Sequence, residues 1–263
     1  MTNSFVVPTM VQMLTEVRGN DRFDASSLHL LLSGGSPLPS VVKERALARF
    51  GPILQEFYGA TETRIVTNIR ASDLQQRHRC VGRPIRDVEI RILGPEGAER
   101  APGEVGEVFV RGPGLFSGYH RDPERTRASH RGEWFSLGDM GRMDEEGYLY
   151  LVDRKQDMII SGGENIFPND VEEVILGFPG VKEAAVIGTP DEVWGEVVTA
   201  VVVPREGMDV EPERLIAHCA RALPGYMKPR RVEFADRLPR NAVGKVLRRV
   251  LREPYWKDRE QRI

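Results

Sequence analysis

The sequence predicts a mixed α/β and α+β protein: a partial α/β sheet layer, a small antiparallel β-barrel, and a separate small α+β domain at the C-terminus. Three observations carry this expectation. Apolar runs of strand length alternate with helix-patterned stretches over residues 1–67, short alternating runs parted by turn residues fill 68–153, and a new mixture of helices and strands occupies 154–263. Strands that alternate with helices favour a parallel sheet, because parallel neighbours need a long crossover. A chain of 263 residues can bury two cores, and the domain boundary is expected at 153–157, dividing 1–153 from 154–263.

In order, residues 4–8 (SFVVP) read as a short buried strand, and Thr9 as the cap of a helix with Val11, Leu14 and Val17 on one stripe, stopped by Gly19. Leu28 to Leu32 is a second apolar run, ended by SGGSPLPS. A helix through Val41, Val42, Leu47 and Phe50 closes at Gly51, and Ile53 to Tyr58 is the third strand. Ligands of such sheets sit at the carboxyl ends of strands, where GGSP and YGATE both fall. VEIRIL, EVFVRG, the WFSLGD stretch and GYLYLVDR are the strand-like runs of the second piece, and DEEG at 144–147 signals a hairpin turn. Beyond it, helices are expected near 169–176, over 212–223 and after Gly244, with strands near 183–187, 197–203 and 231–234.

Composition removes several classes of function. With 37 Lys and Arg against 39 Asp and Glu, the formal charge of -2 offers no global attraction to nucleic acid or anionic lipid. No apolar run is long enough to span a membrane, and the N-terminus lacks an export-signal pattern. Cys80 and Cys219 are far apart and outside any CxxC or Cys/His cluster, which argues against disulfide or zinc frameworks and fits a cytoplasmic setting.

Five short stretches can carry chemistry. In YGATE, Gly59 allows close backbone approach to a flat ligand, Thr61 offers a hydroxyl, and Glu62 offers a hard oxygen suited to magnesium; a solvated strand-end turn is the plain alternative. Gly34, Gly35 and Ser36 follow a strand and precede a helix, an arrangement that accommodates a purine but that many loops share. Asp139 can accept from two vicinal hydroxyls, as in a ribose, or be an ordinary turn aspartate, and Arg154 adds a forked donor or a solvated edge. Gly162 and Gly163 permit close passage of a ligand or make a simple turn. Lys245 puts a point charge on a glycine-flexed loop, unless it merely opens a basic helix whose Arg248, Arg249 and Arg252 face water. A Walker A loop is excluded, since Pro239 stands where its first glycine belongs.

Taken together, QEFYGATETR (55–64), WFSLGDMGRMDEEGYLYLVDRKQDMIISGGENIFP (134–168) and LPRNAVGKVLR (238–248) resemble, in order and spacing, the later motifs of the adenylate-forming enzymes, most of all the acyl-CoA and aryl-CoA synthetases. The resemblance implies ATP/AMP, Mg2+ and CoA as ligands and a small carboxylic acid as substrate. It assigns adenine and phosphate contacts to the Gly34–Gly35–Ser36 loop and to Tyr58, Gly59 and Thr61. Magnesium falls to Glu62, the ribose to Asp139 with Arg154, the pantetheine arm to Gly162 and Gly163, and charge stabilisation to Lys245. Tyr58 is also expected beside Val6, Val7 and Pro8 along the acyl pocket. Leu137 replaces the commoner threonine of the ribose motif, and Gln156 stands at the hinge position about which the small domain is expected to rotate.

The resemblance covers the later part of the family's length, and the upstream phosphate loop of the YTSGTTGxPKG kind is not among these residues. Two alternatives therefore stand beside a CoA ligase: a non-catalytic nucleotide-binding fragment, and an adenylation domain that loads a carrier protein. Neither a nucleic-acid partner nor a membrane span is expected. An apolar face at the cut through the large domain should be covered by a second copy of the chain or by the missing N-terminal half.

Overall fold

The computed structural model describes residues 2–17, 19, 23–77, 79–241 and 244–257, so Ala242 and Val243 of the LPRNAVGKVLR stretch lie outside the described residues. The chain divides into two compact units, Met1–Lys155 and Gln156–Ile263.

In the first unit, β1 (Asn3–Val6), β2 (Leu30–Ser33) and β3 (Leu54–Ala60) pair in parallel, joined by α1 (Pro8–Glu16) and α2 (Ser40–Phe50). Pro8 opens α1 with Val7 in the cap position, so Thr9 is not the cap. A proline in the first turn forfeits only an N–H that the helix leaves unbonded anyway. Helix α2 ends at Gly51, whose φ of 75° with ψ of -165° is a backbone conformation that glycine adopts at little cost. A tight turn reverses the chain into β4 (Arg64–Ile69), antiparallel to β3; after α3 (Ala71–Leu74), β5 (Arg83–Pro84) completes the sheet in the order β1-β2-β3-β4-β5. The first sheet thus continues past residue 67. The signal is weak there because β5 has only two residues. Val11, Val42 and Ala46 of the helices bury one face with Leu31, Leu54 and Ile69.

The second sheet comprises β6 (Glu89–Leu93), β7 (Gly106–Arg111), β8 (His130–Arg131), β9 (Trp134–Met143) and β10 (Leu149–Arg154), all antiparallel, with α4 (Pro123–Ala128) before β8. Its path β10-β9-β7-β6 is an open half-barrel, with β8 beside β9. The β9–β10 hairpin turns on Asp144, whose carboxylate accepts from Glu146 N–H and Tyr148 N–H. Tyr58 and Val66 of the first sheet pack with Ile92, Val108, Val110 and Leu149 of the second.

In the second unit, the hairpin β11 (Ile159–Ser161) and β12 (Glu164–Ile166) leads to α5 (Pro168–Leu176), β13 (Val181–Asp191), β14 (Gly195–Pro204), α6 (Pro212–Ala222), β15 (Arg231–Phe234) and α7 (Arg248–Trp256). The sheet runs β12-β11-β14-β13, with β15 parallel to β14. Alternation along β14 sends Val198, Ala200 and Val202 to a core with α5 and α6, and Val201 and Val203 to a core with Leu251 and Tyr255 of α7. No described helix is long and apolar enough to cross a membrane.

Candidate functional site

The YGATE residues run from the end of β3 into the β3–β4 turn, which Thr61 and Glu62 open. Thr63 is buried, and its Oγ1 accepts from Ala60 N–H at 3.0 Å, which closes the turn and leaves Thr61 exposed and Glu62 half-buried. Gly59 is required for a reason the sequence did not disclose. The register shifts between Tyr58 and Gly59, and a Cβ there would lie 1.9 Å from the Arg64 carbonyl oxygen. Close approach to its own backbone by itself fixes this residue as glycine.

Glu62 is held at both ends. Its carbonyl accepts from Phe116 N–H at 2.8 Å, and its Oε1 accepts from the Tyr119 hydroxyl at 3.0 Å. Among the described residues no group of three or more His, Cys, Asp or Glu side chains converges as a metal cage. A single oriented carboxylate fits the way magnesium is held when substrate phosphates supply its other ligands.

Tyr58 is buried, and its hydroxyl donates to Asp139 Oδ2 at 2.7 Å; Arg154 Nε lies 3.2 Å from Asp139 Oδ1. Strand pairing accounts for the second contact, because Asp139 on β9 and Arg154 on β10 are register partners. Burial, reinforced by the adjoining Asp139 charge, raises the Tyr58 hydroxyl well above its ordinary value, so it stays protonated and donates. The structure therefore gathers three sequence-predicted residues into one chain of contacts, and an ionised carboxylate retains lone pairs for further donors.

Gly34 is buried after β2, where a Cβ would meet the Phe57 ring at 2.5 Å; Gly35, at φ 94°, is exposed with open space around it. The loop's far end is anchored by a feature missing from the sequence reading. Glu56 on β3 accepts from Leu38 N–H and pairs at 2.6 Å with Lys43 of α2, both side chains being buried. A lysine in an amphipathic helix and a glutamate in a strand are ordinary surface residues until pairing brings them face to face, so no sequence signal marks them. Ser36, in the same loop, is half-buried.

In the second unit, Gly162 and Gly163 are the two-residue loop of the β11–β12 hairpin, with φ 59° and 87°. Positive φ at both centres is the turn that suits hairpin twist, so the glycines are required locally. A Cβ on Gly162 would also meet the Trp194 ring at 2.7 Å, and its N–H donates to the Trp194 carbonyl. Lys245 precedes α7 on a loop whose backbone is tied: its N–H donates to Asn241 Oδ1 at 2.8 Å and its carbonyl accepts from Asn241 N–H. Arg240 bridges the Gly244 carbonyl and the Glu183 carboxylate. Arg248 donates to both Glu172 oxygens and to Asn169, while Arg252 is buried against Glu196 at 3.1 Å. Of the basic residues read as a water-facing run, only Arg249 is exposed without such an anchor. The arginines spaced by four fix α7 and hence the base of the Lys245 loop.

Family models for the AMP-binding enzyme and the AMP-binding enzyme C-terminal domain match residues 1–120 and 170–245. A feruloyl-CoA synthase of Amycolatopsis sp is 41% identical over 256 residues, 97% of this chain and 52% of the relative. The amide bond synthetase McbA from Marinactinospora thermotolerans superimposes with a TM-score of 0.92 at 38% identity, covering 97% of this chain and 52% of that one. ATP-bound MatB from Rhodopseudomonas palustris gives a TM-score of 0.90 at 35% identity, covering 99% and 52%. The chain thus spans about half the length of these relatives. Two models of one family, matched in tandem along a fold shared with solved members, place the chain among the AMP-binding, or adenylate-forming, enzymes.

Proposed function

We propose that the chain serves an ATP-dependent acid–CoA ligase. In the first half-reaction the substrate carboxylate attacks the α-phosphorus of ATP, forming an acyl adenylate as pyrophosphate leaves. In the second, the CoA thiol attacks the acyl carbon, and AMP departs with the bond it held. The observation that carries this reading is the chain from buried Tyr58 and Asp139 to half-buried Arg154 beside the Glu62 turn, found in a member of the AMP-binding family.

Asp139 accepts the ribose hydroxyls while Tyr58 and Arg154 fix the rotamer of its carboxylate. The Gly34–Gly35–Ser36 loop borders the adenine, Gly35 offering open backbone, with Tyr58 and Gly59 beside it and the Thr61 hydroxyl turned to the phosphates. Glu62 would hold Mg2+, which when bound neutralises charge across the phosphates. Lys245 stabilises the charge that builds as one anion attacks another, an electrostatic role. The Gly162–Gly163 hairpin serves the pantetheine arm in the second half-reaction. We place the hinge of the small domain at Gln156, beside the division between the compact units.

The test is carboxylate-dependent exchange between ATP and pyrophosphate by this polypeptide, with a panel of aromatic and fatty acids. Exchange that falls about 100-fold or more in Lys245→Ala is the expected result. A folded chain that binds ATP without exchanging pyrophosphate would instead be a nucleotide-binding module.

A further inference from the structure

We propose that Tyr119 is a positioning residue that aims the Glu62 carboxylate at a magnesium–nucleotide complex. The inference rests on the reading of Glu62 given above and adds to it a second residue from another part of the chain.

Four observations converge. The segment from Phe116 to Tyr119 grips Glu62 twice, through Phe116 N–H on the main-chain carbonyl and the Tyr119 hydroxyl on Oε1. Tyr119 is itself braced: its N–H donates to Thr126 Oγ1 at 2.9 Å, its ring meets Phe116 edge-on at 4.9 Å, and the Arg125 guanidinium lies 3.9 Å over the ring centre. Helix α4, which supplies Arg125 and Thr126, is capped by Asp122, whose Oδ1 accepts from Arg125 N–H. Lastly, Glu62 Oε2 takes no hydrogen bond among the described residues.

The chemistry of the donor matters as much as its position. A lysine or arginine on Oε1 would orient the carboxylate and at the same time cancel its charge. A phenol orients it without itself bringing a charge, and the neighbouring Arg125 guanidinium lies over the Tyr119 ring rather than on Oε1. A phenol hydroxyl ordinarily stays protonated at neutral pH, which makes Tyr119 a neutral donor to Glu62. Such outer partners hold a ligating oxygen in one orientation and limit the loss of rotamer freedom on binding.

The experiment measures binding of a non-hydrolysable ATP analogue by calorimetry, with and without Mg2+, for the unaltered chain, Tyr119→Phe and Glu62→Gln. Tyr119→Phe should raise the magnesium half-saturation about 10-fold or more, while magnesium-free affinity stays within about two-fold. If Glu62→Gln abolishes the magnesium-dependent gain and Tyr119→Phe retains it, the role of Tyr119 is overturned and that of Glu62 stands. Equal losses for Tyr119→Phe with and without magnesium would reduce Tyr119 to a structural residue and likewise overturn it. Retention of the gain in Glu62→Gln, or its absence from the unaltered chain, overturns the Glu62 reading and this inference together.

Discussion

At the scale of single residues, the proposed nucleotide side of the site rests on polar contacts whose loss should be measurable apart from activity. Tyr58→Phe removes one hydrogen bond to a charged group and leaves Asp139 Oδ2 short of a donor. Stability should fall by about 2 kcal/mol in urea denaturation, with the first unit's transition moving. The Lys43–Glu56 pair gives a pH signature of its own. Burial outweighs the Lys43 ammonium and raises the Glu56 carboxyl above its ordinary value. The folded state then holds the Glu56 proton more tightly than the unfolded chain does. This contribution to stability is fully present below the ordinary carboxylate value and is lost as pH rises through the folded-state value. Glu56→Gln should flatten that decline, as read from denaturation midpoints across the acid range.

At the scale of elements, two glycine positions are matters of backbone packing, and their substitution separates local from ligand requirements. Gly59→Ala drives a Cβ into the Arg64 carbonyl and should cost about 3 kcal/mol or more. Gly162→Ala forces a left-handed alanine against Trp194, for about 1–2 kcal/mol from the conformation alone. Thermal denaturation of the two variants ranks them, and a milder effect for Gly59→Ala than for Gly162→Ala would contradict the packing argument. The sequence disclosed the elements whose signals are local: the α2 stop at Gly51, the DEEG hairpin, and β15, expected and found at 231–234. It did not disclose what depends on distant partners. β11 and β12 have three residues each, too few for alternation to register, and their GG read as a ligand passage or a simple turn. Tyr58, Asp139 and Arg154 could each be named from motifs, whereas the contacts of Tyr58 with Asp139 and of Tyr119 with Glu62 join segments 81 and 57 residues apart, which no local pattern announces.

At the scale of the whole molecule, each unit has its own apolar core, yet the first unit also shows apolar surface. β1 is an edge strand with Phe5 59% exposed, and α1 with its cap residue Val17 presents Met10, Met13, Leu14 and Val17 to solvent, Met13 at 66%. Such a stripe beside a strand edge that has no further partner among the described residues favours self-association. Light scattering at working concentration should show a dimer or larger species that Met13→Lys weakens, and a clean monomer would count against it. The second unit carries the opposite arrangement. Strand β14 is buried at all eight interior positions from Glu196 to Val203, enclosed by helices on both faces. Outside the fold, its VVTAVVV run is an uncharged, proline-free series of strong β-formers, bracketed by Glu196 and Arg205. The same residues that make a fully sheltered strand of the native sheet make an adhesive stretch of the denatured chain. Recovery from heating is therefore a race between β13 and the β14 segment of another molecule, and dilution favours the native partner.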